Sequence, residues 1–235
     1  MLDFTGLRGP VDMIAAMRLL VVLVGLIALA ASAAAADLAG VVRDGGGQPV
    51  ADAVLYAVAR TPLQSKASPR PVVVDEVNAQ FTPFVTPVQL GAKVSFTNAD
   101  TYAHNVYSVS ETKVFSLPLS RQLSADIVAD RAGVIVLGCN IHDWMVAYLL
   151  VVDTPYYAVT NANGASVLRG LVAGEYDVYV WHPGIGTGPN APQRIAVSEG
   201  AIASVAFTIS LRPDGLWRID KANPIGRYQE RASGG

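Results

Sequence analysis

The octapeptide GCNIHDWM at residues 138–145 holds the chain's one cysteine, Cys139, with His142 and then Met145 at intervals of three. A thiolate, an imidazole and a thioether are soft to borderline ligands. Their short spacing lets one tight loop offer all three to a single ion. A second imidazole must come from elsewhere, and the other histidines are His104 and His182. His104 lies in NADTYAHNVYS, at an expected junction of loop and strand. Two strands adjacent in a sandwich can carry it to the loop 139–145. Two imidazoles and one thiolate in a plane, with a long axial thioether, is the copper arrangement used for electron transfer.

Three other chemistries compete for the same residues. A lone cysteine is most often a small buried hydrophobe, but that leaves the nearby His and Met as coincidence. A Cys–His catalytic pair is the enzymatic reading, yet no oxyanion hole is visible and Met145 has no part in it. Zinc accepts Cys and His, but thioether is a poor zinc ligand. A thiolate-bridged binuclear copper centre needs two cysteines and is excluded by the single Cys139. His182, in YVWHPG, reads as structural or surface. Trp144 either packs over the site or forms, with His142, an apolar docking patch. Tyr102 and Tyr107 flank His104 and read as packing, and Asp100 and Asp143 as turn residues.

The elements that position these residues are strands. Of the 235 residues, 51% are hydrophobic and 15% charged, which excludes a disordered chain. The net charge of −2 gives no reason to expect nucleic acid or an anionic membrane surface as a partner. Residues 17–36, MRLLVVLVGLIALAASAAAA, carry a positive residue, an apolar stretch and a small-residue cleavage site. Residues 1–36 are therefore expected to be a secretory signal peptide, with the true start at Met17 and Asp37 as the new N-terminus. The apolar stretch is short for a span, so no stable membrane span is expected after its removal. An exported compartment is oxidising, which makes one unpaired thiol a feature to explain.

Residues 38–60 read as two strands around the turn DGGGQP, and 61–71 as a polar linker. From 71 to 154, short β-rich runs alternate with Gly, Pro, Asn and Asp, the pattern of an antiparallel sandwich. Residues 155–212 carry the turn signals NANG and VAGE, the alternating strand EYDVYVW and an expected hairpin in RIAVSEGAIASVAFTISL. The polar segment 213–235 is expected to be a loose tail or to lie on a partner.

These residues carry a resemblance. Residues 71–154 look like a cupredoxin of the plastocyanin and amicyanin type. QFTPFVTPVQLGAKVSFTNAD resembles that family's early hairpin, HN at 104 and 105 its first ligand and the following Asn, and CNIHDWM its Cys-x2-His-x2-Met ligand loop. The resemblance implies one type 1 copper ion with His104, Cys139 and His142 as equatorial ligands and Met145 as axial ligand. It also implies that Asn105 ties the two ligand segments together beside the sulfur. Ile141 stands where the family often has Pro. The wider chain resembles periplasmic proteins of the methylamine-utilization or plastocyanin-like type, in which a cupredoxin is joined to a carboxypeptidase-regulatory-like (prealbumin-like) sandwich. TNANGASVLRGLVAGEYDVYVWHPG and GVVRDGGGQPVADAVLYAV look like the two halves of that module.

The expected fold is thus all-β: a Greek-key cupredoxin sandwich at 71–154 plus a second, small prealbumin-like sandwich at 155–212. Residues 37–60 are its expected first half, with the cupredoxin inserted between. The implied function is non-enzymatic: a periplasmic copper protein passing single electrons to a redox partner protein. Copper delivery or storage, and a purely structural exported sandwich, are the alternatives.

Overall fold

The structure is a computed structural model that describes residues 35–62, 68–118, 120–121, 124–185 and 190–212. Most of the expected signal peptide and the whole C-terminal tail lie outside the described residues. No described helix is long and apolar enough to cross a membrane.

The described chain is all-β, with sixteen strands: β1 (Ala36–Asp44), β2 (Val54–Ala59), β3 (Val72–Glu76), β4 (Phe81–Thr82), β5 (Val85–Gln89), β6 (Lys93–Asn98), β7 (Tyr107–Ser110), β8 (Lys113–Ser116), β9 (Ser124–Val128), β10 (Gly133–Gly138), β11 (Val146–Val152), β12 (Tyr157–Val159), β13 (Ala165–Leu171), β14 (Gly174–Trp181), β15 (Gln193–Val197) and β16 (Ile202–Ile209). They form four sheets, which pack in pairs.

In the first sandwich a sheet of order β4-β3-β6-β9 faces one of order β5-β11-β10-β7-β8. Strand periodicity explains the packing: β6 buries Val94 and Phe96 and turns Lys93 and Ser95 outward. Val74, Val94 and Phe96 meet Ile135, Leu137, Ala147 and Leu149 of the facing sheet in one core. Cys139 and Met145 belong to that same core. The chain crosses between these sheets repeatedly, and β3 runs parallel to β6 and β5 parallel to β11.

In the second sandwich a sheet of order β13-β1-β16 faces one of order β12-β2-β14-β15. Leu38, Val42, Leu168 and Phe207 pack there against Leu55, Ala57, Tyr176 and Val178. Gly40 permits a close approach, since a Cβ there would lie 2.3 Å from Leu55 Cδ2. The pairing of β1 and β2 settles how the chain is threaded. Strand β1 pairs with β13 and β16, and β2 with β12 and β14. The chain leaves this sandwich after Ala59, builds β3–β11, and returns at Tyr157.

Two expected hairpins are not hairpins. Strands β15 and β16 join opposite sheets of the second sandwich, and β5 and β6 join opposite sheets of the first. Alternation reveals which side chains of a strand are buried, but not which sheet the strand joins. Val197 of β15 and Val205 of β16 reach one core from its two sides, and both arrangements give the same pattern.

A third apolar cluster joins the sandwiches. Val54 and fully buried Trp181 come from the second, and Val85, Val134, Leu150 and Val152 from the first. Tyr148 of β11 lies against Trp181, with ring centroids 6.0 Å apart.

Candidate metal centre

Strand register brings the two chain segments of the site together. Gly138 pairs with Val146 across β10 and β11 and with Tyr107 across β10 and β7. Residues 139–145 are thus the loop of a hairpin, and the segment before β7 runs beside its root. Gly138 relieves this crowding: a Cβ there would lie 2.7 Å from Tyr107 Cζ, and the ring would have to shift. The loop is closed internally by the Met145 amide, which donates to the His142 carbonyl at 2.9 Å. His104 is pinned by paired backbone bonds with Ser120.

One donor atom from each of His104, Cys139 and His142 falls within a 4.8 Å cluster. The two Nδ1 atoms are 3.1 Å apart, and Cys139 Sγ is 4.0 Å from His142 Nδ1. His104, Cys139 and Met145 are buried, while His142 is half-buried at the edge. Met145 lies in the same core cluster as Cys139. Asn105, also buried, places Oδ1 3.5 Å from Cys139 Sγ and accepts the Asn140 amide at 2.9 Å. One side-chain oxygen therefore holds the loop 139–145 against the upstream segment.

Asp100 does more than the turn role expected of it. Its carboxylate accepts the Asn78 amide at 2.6 Å, the Ala79 amide at 2.8 Å and His104 Nε2 at 2.8 Å. A carboxylate can only accept, so His104 Nε2 donates to it, and in the neutral ring that leaves Nδ1 as the lone pair facing the cluster. Burial pushes the Asp100 carboxyl up, but bonds from Ala79, His104 and Asn78 outweigh it and hold it below the usual range. Metal-bound histidines are commonly oriented by such a partner. The signal was present in the sequence as Asp-x3-His, and the surrounding NADTYAH disguised it as turn chemistry.

The aromatic side chains frame the cluster. Trp144 is half-buried, its ring centroid 5.0 Å from that of His142, and its Nε1 donates to the Ala79 carbonyl at 3.0 Å. Tyr102 meets both imidazoles, at 4.9 Å from His104 and 5.9 Å from His142, and remains 43% exposed. Tyr107 packs on Gly138. His182 is buried apart from this group, its Nδ1 accepting the Gly184 amide at 2.9 Å. Asp143 is exposed.

The donor set fits a soft to borderline metal. The three clustered donors are two nitrogens and one sulfur, with no carboxylate among them. Asp100 orients one imidazole, and the thioether residue Met145 is buried in the same core as the thiol. Oxygen-seeking cations have no ligands in such a set.

No family model matches the chain, and no curated protein matches it. Several solved structures are similar to part of it. A Cu-containing nitrite reductase from Thermus scotoductus SA-01 is 26% identical over 39% of this chain, with a TM-score of 0.34. This chain spans 25% of that protein's length. A purple cupredoxin from Nitrosopumilus maritimus is 22% identical over 34% of this chain and 99% of its own, with a TM-score of 0.31. A reduced Cu(I) form of an amicyanin mutant is 20% identical over 41% of this chain and 99% of its own, with a TM-score of 0.33. These likenesses are partial and distant, and the donor geometry stands independently of them.

Proposed function

We propose that the chain is an exported copper protein that carries single electrons between redox partners. The observation that carries this is the convergence of His104, Cys139 and His142 within 4.8 Å, with the His104 tautomer fixed by Asp100. In this reading His104 Nδ1, Cys139 Sγ and His142 Nδ1 would hold the ion, with Met145 as a fourth ligand. When bound, copper supplies a one-electron couple between Cu(II) and Cu(I).

The residues of the chain do the rest. The hairpin loop, Asn105 and Asp100 hold the donors in place, so little rearrangement accompanies a change of charge. The surrounding apolar core keeps water from the sulfur and tunes the potential. His142 is the half-buried ligand, ringed by Tyr102, Trp144 and the 51% exposed Ile141. That rim is the proposed docking face and electron port for a partner protein. The chain's net charge is small, −2, so docking depends on apolar contact more than on long-range steering. The second, prealbumin-like sandwich is assigned a scaffold or docking role, and the periplasm is the proposed compartment.

Copper delivery or storage would use the same ligands, so exchange is the test. Copper-loaded protein is cycled chemically between its two oxidation states and each is challenged with a copper chelator. An electron carrier retains copper in both states through repeated cycles. Ready release from either state would contradict electron transfer and favour delivery.

A further inference from the structure

Glu76 is a polar group that nothing so far explains. It ends β3, its side chain faces the core of the first sandwich, and its exposure is 0%. Neither carboxylate oxygen has a hydrogen-bond partner among the described residues. An unpaired charge in such a place is strongly disfavoured, and a buried orphan group of this kind asks for a functional account.

Its position supplies one. Glu76 is paired with Asn98 across β3 and β6, and its carbonyl accepts the Ala99 amide at 3.0 Å. Asp100 follows immediately and binds His104 Nε2. The charges acting on Glu76 are those of Asp100 and of Asp75 on its own strand. Asp75 is itself engaged by the Thr97 hydroxyl at 2.8 Å. Strand β4 presents Phe81 and Thr82, and the nearby end of β6 presents Thr97 and Asn98, none of them charged. Lys93 lies at the far end of β6, bound to Asp126. Tyr102 adds a phenol beside Asp100. Asp100 thus links the two places: its charge acts on Glu76, and its carboxylate holds His104 Nε2.

Resting on the copper reading above, we infer that Glu76 is a redox-linked proton site: its buried carboxylate takes up a proton from solvent when the centre accepts an electron, and releases it on oxidation. The step balances. A one-electron donor, the redox partner, supplies the electron; solvent supplies the proton; the new bond is O–H on Glu76. Oxidised copper with its thiolate carries one more positive charge than reduced copper, and that charge favours the ionised carboxylate. Reduction removes it and favours the acid. The site is poised for this at physiological pH, because burial first, then Asp100 and Asp75, push the Glu76 carboxyl up to about 7.

The test uses copper-loaded wild type and Glu76→Gln, a near-isosteric change that removes the proton equilibrium. Their midpoint potentials are measured from about pH 5 to about pH 9, the range over which such a group would titrate. The wild-type potential falls as pH rises through neutrality, more steeply than in the variant, and the difference between the two curves is confined to that region. Superimposable curves would overturn the inference. A second readout needs no electron transfer: carbon-13 NMR of the Glu76 carboxyl in metal-free, Zn(II)-loaded and Cu(I)-loaded protein. Its titration midpoint is lower with Zn(II) than with Cu(I); equal midpoints would overturn the inference. Absence of any thiolate-to-copper absorption band in wild type is a separate failure. It removes the copper reading, and this inference falls with it.

Discussion

Replacing Asp100 by Asn separates a metal-orienting role from a turn role. The carboxylate has two oxygens and three donors: Asn78 N–H on Oδ1, and Ala79 N–H and His104 Nε2 on Oδ2. Asn keeps only one acceptor oxygen. Its better orientation leaves that oxygen toward Ala79 and His104 and sets its NH2 against the Asn78 amide. One bond to a charged acceptor, worth about 1.5–3 kcal/mol, is lost, and two fall to the neutral range of about 0.5–1.5 kcal/mol. The expected loss is about 5 kcal/mol of stability, or about 10–20 °C in Tm at the 2–4 °C per kcal/mol of a chain this size. The lowered Asp100 carboxyl means that this wild-type advantage is present above the usual carboxylate range and is lost as pH falls through the folded-state value. The bond that holds the His104 ring is weakened to the neutral range, and metal affinity drops roughly 10–100-fold. Urea unfolding of metal-free protein measures the first effect and competitive metal titration the second. A variant that is less stable but binds metal as tightly as wild type would refute the orienting role.

Other perturbations probe the frame. Trp181→Ala removes the largest side chain between the sandwiches and costs about 3–5 kcal/mol. Unfolding followed by calorimetry splits into two transitions while the metal centre survives. Gly138→Ala drives a Cβ into the Tyr107 ring and costs about 1–2 kcal/mol. Denaturation of the Gly138→Ala, Tyr107→Ala double variant shows that cost largely abolished. The raised Glu76 carboxyl stabilises the fold below its unfolded value of 4.5 and loses that contribution as pH rises toward about 7. Relative to Glu76→Gln, metal-free wild type therefore loses up to about 3 kcal/mol between acid and neutral pH by urea unfolding.

Much of the candidate site was legible because donor chemistry belongs to residue type. One cysteine with His142 and Met145 at fixed short spacing points to a metal before any fold is known, and His104 follows from scarcity. Strand content was legible from alternation in stretches such as EYDVYVW and KVSFTN. Strand partners were not, because β15 and β16 bury the same faces whether they pair together or straddle a core. The threading of β1 and β2 with β12–β16 needed the resemblance to suggest it and long-range register to define it. Asp100 and Glu76 escaped for a different reason. An Asp in a turn-rich segment and a Glu in PVVVDEV look solvated, and only the pairing of β3 with β6 shows that Glu76 is buried and that Asp100, just past β6, reaches His104.

The most direct test is spectroscopic. Protein spanning residues 37–235 is combined with Cu(II), and visible absorption and EPR spectra are recorded for wild type and Cys139→Ser. The proposed centre gives an intense thiolate-to-copper charge-transfer band that disappears in the variant. A colourless wild-type protein, or one whose spectrum survives the loss of Cys139, would contradict a copper–thiolate site.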